Sequence, residues 1–196
     1  MISAFCSRFR WGAVLLFTLA GLAAAPAREL TAFELIREAN RYVGEHARDK
    51  VVRMYSEKSV GGLAPSVWQV VYYDSTATLK STRVKFGGGK MLEVKRPMNL
   101  LEPFTGPASP MNRDKLQIDS DKALRLAMDE PLLKHVTLKA SALELKSTPP
   151  DGLVWIVELW AAKASHPDQD TSVGKIRLSA TDGKIIQRDL HIERVN

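Results

Sequence analysis

The sequence predicts an α+β protein built as two tandem helix-on-antiparallel-sheet modules. Three observations carry this. One phrase occurs twice, as SVWQVVYYD over Ser66–Asp74 and LVWIVELWA over Leu153–Ala161, each with Val-Trp-x-Val (Val67, Trp68, Val70; Val154, Trp155, Val157). Each copy runs on through a basic, alternating strand into a Gly-Lys turn, Gly89-Lys90 and Gly183-Lys184, and then a last strand. Each is preceded by a stretch of helical periodicity and one further strand. A repeated supersecondary phrase of this kind predicts a repeated structural unit.

The first 27 residues predict a cleaved export signal. Arg8 and Arg10 precede the apolar run Trp11–Ala25, and Ala25-Pro26-Ala27 offers small residues at both recognition positions of a cleavage site. The run is short for a hydrocarbon core of ~30 Å, so the expected mature chain begins at Arg28, without stable membrane insertion. Cys6, the single cysteine, goes with the signal. The mature chain then has no disulfide, thiol nucleophile or thiolate metal site. Formal charge is +6, and removing Arg8 and Arg10 leaves 26 basic against 22 acidic residues, or +4. These charges are interleaved along the chain, whereas nucleic-acid binding needs them concentrated. No nucleic-acid partner is expected.

The first module is expected over 28–97. Leu30, Phe33, Leu35, Ile36, Ala39, Tyr42, Val43 and Ala47 recur at helical spacing, and Thr31 with Glu34 forms a capping box. A helix is therefore predicted from Thr31 towards Lys50, weakened but not ended by Gly44. Val51–Glu57 reads as a strand, and SVGGLAPS as a loop. In the strand Val67–Tyr73, Trp68, Val70 and Tyr72 share one face. Ser81–Phe86 and Lys90–Val94 form a hairpin across Gly87-Gly88-Gly89, stopped by Pro97.

A Pro-rich linker is expected over 98–118, its apolar Leu100, Leu101 and Phe104 packing on a domain. The second module then spans 119–196. Asp119 or Ser120 caps a short helix whose Ala123, Leu124, Ala127 and Met128 face inward, limited by Pro131. Val136–Lys146 alternates as a strand with a bulge near Ser141, and Thr148–Gly152 is a turn. Leu153–Ala161 is the next strand, Lys163–Val173 a polar loop, and Thr181-Asp182-Gly183-Lys184 closes the last hairpin.

The order of ALRLAMDEPLL, VWIVELW and IRLSATDGKIIQRDLH between Asp121 and His191 resembles the PepSY and PepSY-like group of exported domains; Leu35–Arg96 matches more loosely and lacks an Asp before Gly89. The resemblance implies a cystatin-like two-layer fold, and a role as an inhibitory module associated with secreted proteases or as a small envelope protein. It implies no catalytic residues.

Trp68 and Trp155 hold equivalent places, which favours core residues over stacking platforms. Trp160 aligns with Tyr73 and is the better candidate for contact with a partner. Asp189, His191 and Glu193 fall on one face of a regular strand, but neighbours there lie ~6.6 Å apart, too far for three ligands on one transition metal. His46, His135 and His166 are isolated. Gly87-Gly88-Gly89-Lys90 lacks the spacer and the Ser/Thr of a phosphate loop and joins two strands. Asp168 and Asp170 are too few carboxylates for calcium. No nucleophile is spaced with a base. The expected protein is thus an exported, periplasmic or extracellular, non-catalytic binding or inhibitory module. It has no metal or other cofactor, and its partner is a peptide or envelope protein, a protease among the candidates. The alternative is a self-associating structural protein of the envelope.

Overall fold

Thr31 opens the first helix as its capping box predicts: its hydroxyl accepts from the Glu34 N–H at 3.4 Å, and a Glu34 carboxylate oxygen accepts from the Thr31 N–H at 2.8 Å. The computed structural model describes residues 29–97 and 109–195. The expected signal and residues 98–108 of the expected linker lie outside the described residues.

Helix α1 (Ala32–Ala39) buries Ala32, Leu35, Ile36 and Ala39. It stops well short of the predicted length. The Asn40 side chain donates to Asp49 at 2.7 Å and accepts from the Asp49 N–H at 3.2 Å, so residues 40–49 fold back as turns rather than continuing the helix. Val43 and Ala47 nevertheless stay buried. Four antiparallel strands follow: β1 (Val51–Ser56), β2 (Val67–Tyr73), β3 (Ser81–Gly87) and β4 (Lys90–Lys95). Helix α2 (Ser120–Met128) then leads to β5 (Leu138–Thr148), β6 (Gly152–Ala162), β7 (Asp170–Ser179) and β8 (Ile185–Leu190). β5 starts two residues later than predicted, and its irregularity lies between Leu138 and Ala140 rather than at Ser141.

The expectation of two tandem helix-on-sheet modules with a cystatin-like two-layer fold does not hold. All the strands among the described residues belong to one eight-stranded antiparallel sheet, ordered β4-β3-β2-β1-β5-β6-β7-β8. The cause is edge pairing. A four-stranded meander leaves its first strand open on one side, and here the two open first strands close on each other, Arg53 opposite Lys146, Met54 opposite Leu145 and Tyr55 opposite Glu144. The two helices are short and share one core with this continuous sheet, which makes the architecture mainly β.

Serines extend the seam beyond its backbone ladder. Ser56 Oγ accepts from the Leu143 N–H at 2.9 Å. Ser59 donates its N–H to the Ser141 carbonyl at 2.8 Å and accepts the Ser141 N–H on its hydroxyl at 2.9 Å. All three serines are buried, and the Ser56 and Ser59 hydroxyls stand in for strand partners that water cannot supply. The outer face of the seam is charged, with Glu144 held by Arg53 at 2.7 Å and Lys146 at 3.1 Å.

The helices meet at their N-termini. Asp119 Oδ1 accepts from its neighbour Ser120 N–H at 2.7 Å and from the Phe33 N–H at 3.2 Å, while Ser120 Oγ accepts from the Ala32 N–H at 3.0 Å. One core cluster therefore runs under both halves, from Leu35, Tyr72 and Phe86 to Trp155, Leu159 and Ile176. Among the described residues no helix is long and apolar enough to cross a membrane.

Candidate functional site

Two loops from opposite sides of the seam rise at the same end of the sheet. One, residues 57–66, joins β1 to β2. The other, residues 163–169, joins β6 to β7. The Ser59–Ser141 pair fixes the base of the first, and Ser141 Oγ donates to the Leu63 carbonyl at 2.6 Å. The second is braced by the Lys163 N–H to Gln169 carbonyl bond at 3.0 Å and by the Ala164 N–H to Val195 carbonyl bond at 2.7 Å. Between them lies an open cleft of about 680 Å³, lined by Lys58, Val60 and Leu63 on one wall, Leu138 at the strand start, and Pro167 and Asp170 on the other wall.

Lys58 spans the cleft. Its Nζ lies 2.8 Å from Asp170 and 5.0 Å from the centre of the Trp160 ring. The ammonium thus gains a carboxylate and an aromatic face together. The lysine and the carboxylate are each about a third exposed, so the pair is solvent-screened and adds little stability. Val60, at the loop tip, is 92% exposed. The cleft mixes the apolar surface of Val60, Leu63, Leu138 and Pro167 with the charges of Lys58, Lys139, Asp168 and Asp170, which suits non-covalent contact with a side chain or a short peptide.

The structure separates the tryptophans by role. Trp68 and Trp155 are buried, and each indole N–H reaches a carbonyl, of Pro65 at 2.9 Å and of Ile118 at 2.8 Å. Trp160 is half-buried and lies beside the cleft. Asp170 belongs to the cleft through Lys58, and the exposed Asp168 lines the same cleft, two residues from His166. His46, His135 and His166 are exposed and apart, and the His166 ring lies 3.0 Å from the hydroxyl of its neighbour Ser165.

Asp189, His191 and Glu193 do come together, contrary to the regular-strand spacing. β8 ends at Leu190, the His191 N–H bonds the Val173 carbonyl at 2.7 Å, and the chain turns into a short 3₁₀ segment over Ile192–Val195. Both ring nitrogens of His191 then lie 3.2 Å from a carboxylate, Asp189 on one side and Glu193 on the other. Among the described residues no cluster of three His, Cys, Asp or Glu is placed to hold a metal ion. Gly87–Lys90 forms the tight β3–β4 turn.

Lys58 was not legible as a site residue. It lies 112 positions from Asp170, and nothing local distinguishes it from other surface lysines. The polar stretch Lys163–Val173 and the unmatched Trp160 were the signals that pointed to this end of the sheet, although only 163–169 is loop and Asp170–Val173 already belongs to β7. No protein-family model matches the chain, and no curated protein and no solved structure matches it.

Proposed function

We propose that this chain is an exported, non-catalytic binding or inhibitory module that receives a peptide or protein partner in the periplasm or cell envelope. The observation that carries the reading is the cleft beside Trp160, walled by two loops on a continuous sheet. Loops held by a rigid scaffold are where recognition concentrates, and a partly exposed tryptophan with a neighbouring apolar wall is the usual anchor of a protein contact. The resemblance of Asp121–His191 to PepSY-like domains supports an inhibitory role towards a secreted protease.

The test is crosslinking from the loop tip. A photoreactive phenylalanine analogue at position 60 should capture one envelope protein. Val60→Asp and Trp160→Ala should each weaken binding of that purified protein at least tenfold. Val60 is so exposed that its substitution leaves the fold unchanged, so loss of binding cannot be blamed on unfolding. Binding that survives both substitutions removes the cleft from the reading. A stable oligomer that captures nothing leaves the self-associating structural protein in its place.

A further inference from the structure

Among the described residues β4 ends the sheet, and its two faces differ. Val94 lies opposite the buried Val84, and Met91 opposite the buried Phe86, on the core side. They remain 41% and 38% exposed. Glu93 and Lys95 lie opposite Lys85 and Arg83 on the outer side. Leu92, at the irregularity in this pairing, rests over Gly87, where an added Cβ would come within 2.7 Å of its Cδ1.

An open edge invites pairing, and proteins blunt such edges with charge. Lys90 and Lys95 do so against an arbitrary strand. Against one particular strand the same charges attract: read in the opposite direction, Glu93-Val94-Lys95 is its own complement. Antiparallel pairing centred on Val94 sets each Glu93 opposite the Lys95 of the other copy and Val94 opposite itself. Glu93 and Lys95 share a face, so the two-fold axis stands normal to the sheet and both cores stay on one side. Moving the centre to Glu93 would set that carboxylate against itself, and moving it to Leu92 would set Lys90 against Val94.

We propose that the chain pairs with a second copy of itself through β4, in the register that sets Glu93 against Lys95, making one sheet continuous across both molecules. The proposal is independent of the cleft, which lies on the loops of the seam. A single short strand buries less than the ~1,600 Å² of a standard interface, so the dimer should be concentration-dependent.

The test uses the full chain carrying Cys6→Ser, with one cysteine introduced at a time. Residues directly opposite across antiparallel strands have Cα atoms about 4.5–5.5 Å apart, within disulfide reach. Val94→Cys should form an intermolecular disulfide rapidly under mild oxidation, and Leu92→Cys and Met91→Cys should not. In parallel, sedimentation from roughly 1 µM to 1 mM, the span from tight to weak association, should show a monomer–dimer equilibrium. Glu93→Lys or Lys95→Glu alone should raise its dissociation constant at least tenfold, and the double substitution should restore it. A monomer throughout that range, crosslinking at Leu92 as fast as at Val94, or a double substitution that fails to restore pairing would each overturn the proposal.

Discussion

Asp119 caps two helices at once: the carboxylate oxygen that holds the Ser120 N–H at the start of α2 also holds the Phe33 N–H in the first turn of α1, 86 residues away. Both helix N-termini carry partial positive charge, and one carboxylate serves both. This contact joins the two halves on the helix side as the serines join them within the sheet.

Asp119→Ala should therefore cost more than one cap. A single lost N-cap is worth ~1 kcal/mol, and the expected loss here is about 2 kcal/mol, measured by denaturant unfolding. Asp119→Asn, which keeps an acceptor oxygen, should recover most of it. A loss no larger than that of an ordinary cap would mean that the Phe33 contact contributes nothing.

Gly174 sits in β7 with φ +116°, and a Cβ added there would land on the Asp189 carbonyl oxygen of β8. The blocking atom is backbone, so no side chain can swing aside. Gly174→Ala should cost at least ~3 kcal/mol and loosen β8, read as faster amide exchange in Ile185–Leu190. A thermal midpoint within a few degrees of the parent chain would contradict this.

The pH dependence should carry the mark of Asp74. Burial alone would push this carboxyl up. The Thr76 and Thr82 hydroxyls and the Thr76 N–H outweigh it, helped by Arg96, and hold the pKa at about 2 against an ordinary 3.8. The folded value is the lower one, so the stabilisation is complete above 3.8 and is lost as pH falls towards 2. The gap corresponds to about 2 kcal/mol. Between about pH 5 and pH 2 the stability advantage of the parent over Asp74→Asn should shrink by roughly that amount. Parallel stability curves would rule Asp74 out as the cause.

Trp155 should matter through its nitrogen as well as its bulk. Its indole N–H meets the Ile118 carbonyl at 2.8 Å in the buried approach to α2. Trp155→Phe should cost ~1–3 kcal/mol beyond the volume lost, since the carbonyl is left without a donor. The control is Trp155→Phe paired with Ile118→Ala: the two should not be additive, because they share the segment that the indole holds.

Much of the local structure was legible because its causes are local. The capping box of Thr31 and Glu34, the cap at Asp119, and the strand Val67–Tyr73 with Trp68, Val70 and Tyr72 buried all formed as read. The last hairpin did too: Asp182 accepts from the Lys184 N–H, and Gly183 takes φ +78°. Each depends on residues within a few positions of one another. The length of α1 was misread because periodicity in Val43 and Ala47 reports burial, and a turn that returns to the core satisfies it as well as a helix does. Strand alternation likewise marked His191 as one more position on β8, although the strand had already ended at Leu190.

By itself the sequence determined the order of the main elements, the caps at Thr31 and Asp119, the Asp182-Gly183 turn and the buried face of Val67–Tyr73, because spacing along the chain sets those directions. The tertiary structure decided the rest. Alternation says which face of β1 or β5 is buried but not which strand lies at its edge, and edge hydrogen bonds carry no side-chain signature. The joining of Arg53–Tyr55 to Glu144–Lys146, the buried Ser59–Ser141 pair, and the meeting of Lys58 with Trp160 and Asp170 all depend on that one choice of neighbour. It turned two expected modules into one sheet.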